Sequence, residues 1–143
     1  MNYRVYFILL ICFFKSYVGK SQMLDGEWKG YLISDNVWPK HEELIKLHIR
    51  LVKDSTYQIF SYCKGVNRNW EDTVVIAKVI YNRPSSDSLN LEEIEVIKPK
   101  EALNNCLIKM KLKILRSDNE VSLSGKWNSD CSNFGSVTLK RKG

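Results

Sequence analysis

From Gly26 to the C-terminal residues, apolar and polar side chains alternate with a period of two, the pattern of strands with one buried and one wet face. Eight segments follow from it, at about 26–34, 43–52, 56–64, 72–82, 88–97, 105–116, 121–128 and 135–141. Turn-forming residues punctuate them, most clearly Asp54-Ser55, Arg83-Pro84-Ser85-Ser86-Asp87 and Asp118-Asn119. Asp, Asn and Ser bond to nearby backbone and so favour tight turns. Eight sequential strands on short connections predict an all-β, antiparallel up-and-down barrel, in which closure removes exposed sheet edges.

Two stretches carry a second signal. Pro39-Lys40-His41-Glu42-Glu43 suits the first turn of a helix, whereas Ile45, Leu47, Ile49 and Leu51 alternate strictly with polar residues. A short helical turn near 39–43 leading into a strand accommodates both. Lys100-Glu101-Ala102-Leu103 allows one further turn.

The stretch from Asn105 to Cys131 specifies its own register. With a two-residue loop at Asp118-Asn119, Ile114 faces Leu123, Leu112 faces Gly125, Met110 faces Trp127 and Cys106 faces Cys131 on one largely apolar side. Lys109, Lys111 and Lys113 fall on the other, opposite Asn128, Lys126 and Ser124. A one-residue slip destroys this sorting. Gly125 is a candidate bulge that would shift the outer pairs.

The N-terminal residues break the alternation. Arg4 precedes an unbroken apolar run from Val5 to Phe14, and Gly19-Lys20-Ser21 follows with small residues, the layout of a removable secretory signal. Residues 1–21 are therefore expected to be cleaved, after Ser21 or after Gly19, leaving 22–143 as one barrel domain. The run is too short to span a bilayer, so no stable membrane span is expected. The protein is expected to be exported, to a periplasm or the extracellular space.

The hydrophobic content of 44% in 143 residues supports one packed core. Losing Arg4, Lys15 and Lys20 with the signal would lower the formal net charge from +6 to +3, an excess matched by the Lys140-Arg141-Lys142 tail. Nucleic acid is not expected as a partner, because the sequence shows no basic stripe interleaved with aromatics.

Export permits disulfides, and removal of Cys12 with the signal leaves Cys63, Cys106 and Cys131. The hairpin register predicts a structural Cys106–Cys131 bridge. Cys63 is then left over as a packed free thiol, an intermolecular partner or a reactive group.

Leu24-Asp25-Gly26-Glu27-Trp28 and Leu123-Ser124-Gly125-Lys126-Trp127 both read L-x-G-x-W. A glycine two places before an indole lets a strand bend while the ring covers one end of a core. The first motif, at the start of the first strand, resembles the lipocalin and calycin group. That resemblance implies a lipocalin-like barrel in which Trp28 closes the base and Arg141 packs across it; Trp127 is a further closure candidate. The chain is also similar to short exported bacterial proteins with an early G-x-W-x-G (Gly26 to Gly30) and a late G-x-W, Cys, Gly and Leu-x-Lys between Gly125 and Lys142.

Catalytic motifs do not emerge. His41-Glu42-Glu43-Leu44-Ile45 lacks the second histidine of a zinc helix, and no metal or cofactor is expected. Glu93 and Glu95 are expected on one face and Glu92 on the other, as solvated carboxylates. Two functions are carried forward. In the first, the barrel binds a small apolar molecule lined by Leu47, Ile49, Phe60, Tyr62, Met110, Leu112 and Ile114. In the second, a filled barrel contacts another exported protein, as an interaction or inhibitor module, through loops at Asp35–Lys40 and Gly65–Trp70, with Trp38, Arg68 and Trp70 as anchors.

Overall fold

A computed structural model describes residues 24–36, 42–53, 56–65, 74–98 and 106–142. The eight strands are β1 (Gly26–Ser34), β2 (Glu42–Lys53), β3 (Thr56–Gly65), β4 (Val74–Ser85), β5 (Ser88–Lys98), β6 (Ile108–Arg116), β7 (Val121–Ser129) and β8 (Phe134–Arg141). Each pairs antiparallel with its neighbours in sequence, and β1 pairs with β8, so the sheet is a closed up-and-down barrel. The proposed signal at 1–21, the helical turn at 100–103 and residues 39–41 of the other proposed turn lie outside the described residues. Glu42 and Glu43 belong to β2, in place of the expected helical turn. Their backbones pair with Ile33 and Leu32 of β1, so the alternation prevails over the helical start signal.

Alternation places one apolar set inside. Trp28, Leu32, Ile45, Leu47, Ile49, Ile59, Leu89, Leu91, Met110, Leu112, Leu123, Val137 and Leu139 form a single buried cluster with their neighbours. Burial of such side chains contributes roughly 1.5–3 kcal/mol each before chain entropy is counted. The β6–β7 hairpin has the expected register, from Ile108 opposite Ser129 to Arg116 opposite Val121. The Ser117 amide donates to the Glu120 carbonyl at 2.9 Å across the two-residue loop.

Departures from regular pairing occur elsewhere. The β6–β7 ladder passes Gly125 without a bulge. Glycine is needed there because the backbones approach closely: a β-carbon would lie 2.0 Å from the Lys111 carbonyl oxygen. Register shifts fall instead in β2–β3, between Leu51 and Lys53, and in β4–β5, between Ile76 and Ala77, Lys78 and Val79, and Asn82 and Ser85. The last lets β4 run through Pro84 to Ser85, so the connection is shorter than the expected 83–87 turn. Proline, which lacks an amide proton, is tolerated at such a bulge.

The two ends of the barrel differ. At the turn end, Leu24 and Trp28 are fully buried, and the indole N–H of Trp28 donates to the Leu24 carbonyl at 2.9 Å. The Arg141 guanidinium lies 6.0 Å from the Trp28 ring and donates to the Asp25 carbonyl. Gly26 enters β1 at φ 129°, a conformation that disfavours side chains, and Arg141 passes over it. The opposite end is where the chain passes between β1 and β2, β3 and β4, β5 and β6, and β7 and β8. There a disulfide joins Cys106 to Cys131, with α-carbons 5.5 Å apart.

Two outcomes follow for stability. Replacing both Cys106 and Cys131 by Ser is expected to cost about 3.5 kcal/mol, the chain-entropy value for a loop of this length, read from urea unfolding. Gly125→Ala drives its methyl into the β6 backbone and is expected to cost about 2–3 kcal/mol, seen as a lower urea midpoint at unchanged slope.

Candidate functional site

The barrel interior changes character along its axis. Large apolar side chains fill it from Trp28 up to Leu32, Leu91 and Met110. Towards the loop end several inward positions become small or polar: Ser34, Ser61, Ala77, Ser129 and Gly135 are all buried there, with Ile108 and Trp127 as large apolar neighbours. Glu93 stands among them at 5% exposure.

Glu93 continues the inward phase of Leu89 and Leu91, and a bulge just beyond it turns Glu95 outward. Val79 opposes Glu93 while Lys78 opposes Glu95, so Ile94 is the extra residue and projects outward. This corrects the expectation that Glu93 and Glu95 share a solvated face. Only Glu95 is exposed; Glu93 is inside. Its carboxylate is tied on both oxygens. The Ser61 hydroxyl donates to Oε1, and the Ile108 amide donates to Oε2 at 2.9 Å. Ser61 on β3 opposes Ala77 on β4, and Glu93 on β5 opposes Val79, the next inward position of β4; the single methyl of Ala77 leaves room for Ser61 and Glu93 to meet diagonally across that strand. The Ile108 amide needs this acceptor because β5–β6 backbone pairing ends at Glu92–Lys109. The carboxylate thus takes the place of a ladder partner beyond the end of that pairing.

Burial pushes the Glu93 carboxyl pKa upward, since a low-dielectric interior disfavours its charged form. The hydrogen bonds from Ser61 and Ile108 oppose that shift without cancelling it, and the charges of Glu43 and Asp130 reinforce it. Cys63, on the same strand as Ser61, is free and half-buried. Desolvation raises its thiol pKa well above the ordinary value, with Glu93 and Glu43 acting in the same direction. A thiol kept protonated is a poor nucleophile, so Cys63 has the chemistry of a packing group. His48 faces outward, 3.0 Å from Glu27 Oε2 and 4.8 Å from the Tyr62 ring centroid, and therefore offers no base to Ser61 or Cys63. Among the described residues, Cys106, Asp130 and Cys131 are grouped closely enough to suggest a metal site. Both thiols are consumed in the disulfide, and Asp130 Oδ1 accepts the Leu107 amide at 2.9 Å.

The structure separates the expected lining residues. Leu47, Ile49, Met110, Leu112 and Ile114 point inward, in the well-filled part of the barrel. Phe60 and Tyr62 do not line the interior. Their register partners are the outward-facing His48 and Lys46, and the Lys46 ammonium lies 4.8 Å from the Tyr62 ring. Tyr57, Ile59 and Ser61 take the inward places on β3. Trp28 and Trp127 stand at opposite ends of the core; the Trp127 indole donates to the Ile33 carbonyl at 3.3 Å near the loop end. Trp38, Arg68 and Trp70 lie outside the described residues. Sequence reasoning missed Glu93 and Ser61 as interior groups.

No known protein family matches the chain, and no curated protein matches it. Solved structures do. A redesigned β-barrel aligns at TM-score 0.57 and 14% identity, covering 87% of this chain and 96% of its own. A de novo designed fluorescence-activating β-barrel aligns at TM-score 0.51 and 14% identity, covering 85% and 96%. These likenesses establish the eight-stranded antiparallel barrel fold.

The raised pKa sets the sign of a pH effect. The folded state holds the Glu93 proton more tightly than the unfolded chain. Its stabilising contribution is therefore complete at low pH and is lost as pH rises through the folded pKa. Glu93→Gln, whose amide can serve both Ser61 and Ile108, is expected to gain stability relative to wild type as pH rises from about 4 to 8. Melting temperatures of the two proteins across that range check this; a constant difference contradicts it.

Proposed function

We propose that the protein is an exported, lipocalin-like carrier that holds a small, mainly apolar molecule at the loop end of its barrel. A hydrogen-bond donor on that molecule is directed at Glu93. The observation that carries this reading is a buried carboxyl group in a layer of small side chains, above a floor of large apolar ones. Each Glu93 oxygen accepts one bond from the protein and has a second lone pair to offer a ligand. The closed turn end leaves the loop end as the entrance. The Cys106–Cys131 bridge supports an oxidising, exported setting and braces the rim of that entrance. The placement of Trp28 beneath Arg141 supports the lipocalin-like plan.

A second reading rests on the tight filling of the lower barrel. There Leu47, Met110, Leu123 and Leu139 are at most 1% exposed. A filled barrel would act on another exported protein through its loops.

Native mass spectrometry distinguishes the two. Mature protein purified without detergent is expected to carry extra mass that denaturation removes, or to take up dodecanol or dodecylamine when purified bare. Ser61→Leu, which fills the small-residue layer, is expected to abolish both. A wild-type protein that is bare and takes up neither probe overturns the carrier reading and favours the interaction module.

A further inference from the structure

We infer that the outer face of β6, β7, β8 and β1 is a docking surface for an acidic polysaccharide. Lys109, Lys111 and Lys113 occupy successive outward positions of β6 and are exposed, with α-carbons about 7 Å apart along the strand. Lys109 is neutralised by Glu92 at 2.7 Å. Lys111 and Lys113 have no acidic partner among the described residues, and Lys111 sits directly opposite Lys126. Like charges facing each other across strands are destabilising, so the fold maintains this pair at a cost. Lys126 turns away to Asp35, and the ammonium-to-carboxylate distance is a long 3.4 Å.

The adjoining row explains which polyanion fits. Lys113 opposes Ser124, Ser124 opposes Thr138, and Thr138 opposes Tyr31. Ser124 Oγ and Thr138 Oγ1 are 3.3 Å apart, and Tyr31 is 50% exposed. Cations therefore border a shallow floor of hydroxyl groups that ends at a phenol ring. Sugar hydroxyls hydrogen-bond to such a floor, sugar rings pack on an exposed aromatic, and acidic substituents pair with Lys111, Lys113 and Lys126. The exposed apolar side chains of this face, Leu115 and Phe134, stand at its opposite ends and form no continuous patch for insertion into a lipid surface.

The test uses the mature chain with sulfated dextran, neutral dextran and phosphatidylglycerol vesicles as probes. Wild type is expected to bind sulfated dextran with an affinity that falls as salt rises, and to bind neutral dextran far more weakly. Lys111→Glu combined with Lys113→Glu is expected to lose about tenfold or more in affinity. Arg50→Glu combined with Lys78→Glu changes net charge equally but lies on β2 and β4, off this face, and is expected to lose less than about threefold. Glu at 111 would face Lys126 as an opposite charge, so an unchanged or raised melting temperature confirms that the first variant is folded. Equal losses in the two double variants, absence of binding to sulfated dextran, or tighter binding to the vesicles would each overturn the assignment.

Discussion

Pairing of β1 with β8 is the constraint on which the rest depends. Seven facing positions, from Trp28–Arg141 to Ser34–Gly135, close the sheet on itself. Once it is closed, every residue is assigned to the inside or the outside, and none remains on an open edge. Apolar side chains assigned inside fill the core. A polar one assigned inside must find partners there. Glu93 is the case in point, with both oxygens engaged by Ser61 and Ile108. The seam itself brings backbones close: neither Gly30 nor Gly135 has room for a methyl group, against the carbonyls of Thr138 and Ile33.

The same closure makes the ends unequal. All the odd-numbered strands run from the turn end to the loop end, so the tight connections gather at one rim. That rim is sealed by Leu24 and Trp28 with Arg141 across it. The other rim carries the remaining connections and the disulfide. Trp127 lies beneath it, so the two L-x-G-x-W motifs bracket the core. In both, a large inward ring follows a glycine, but the glycines serve different needs: Gly26 takes a positive φ, and Gly125 admits the close approach of Lys111.

Legibility followed the strength of the alternation. In β6 and β7 every apolar residue but Leu115 falls on one face, and the register was readable pair by pair. In β3 the sequence TYQIFSYCKG carries apolar or aromatic residues on both faces, so period two is satisfied by either phase. Pairing with β2 decides it, because Ile49 meets Ile59 and His48 meets Phe60. That contact is non-local and left no mark in the segment itself. Around Glu93 the difficulty was of another kind. The run Glu92-Glu93-Ile94-Glu95 reads as a wet stretch with one apolar residue, yet Glu93 keeps the inward phase of Leu89 and Leu91, and a bulge at Ile94 separates it from Glu95 by turning Glu95 out. A bulge is a property of two strands together, and a single segment does not announce it.

The choice of glutamate at the β5–β6 parting bears on what the interior is for. The Ile108 amide needs an acceptor, and a neutral side chain such as Gln would supply one without the cost of burying a carboxylate. Ser61 supplies a single hydroxyl donor, which is less compensation than a buried charge ordinarily requires. The raised pKa expresses the shortfall. A protein that needed only to hold β5 against β6 would do better with the amide. Retaining a group that is difficult to ionise, in the one layer where neighbouring side chains are small, supports a use for its remaining lone pairs and its proton. In the carrier reading proposed above, that use is the recognition of a donor group on a molecule entering from the loop end.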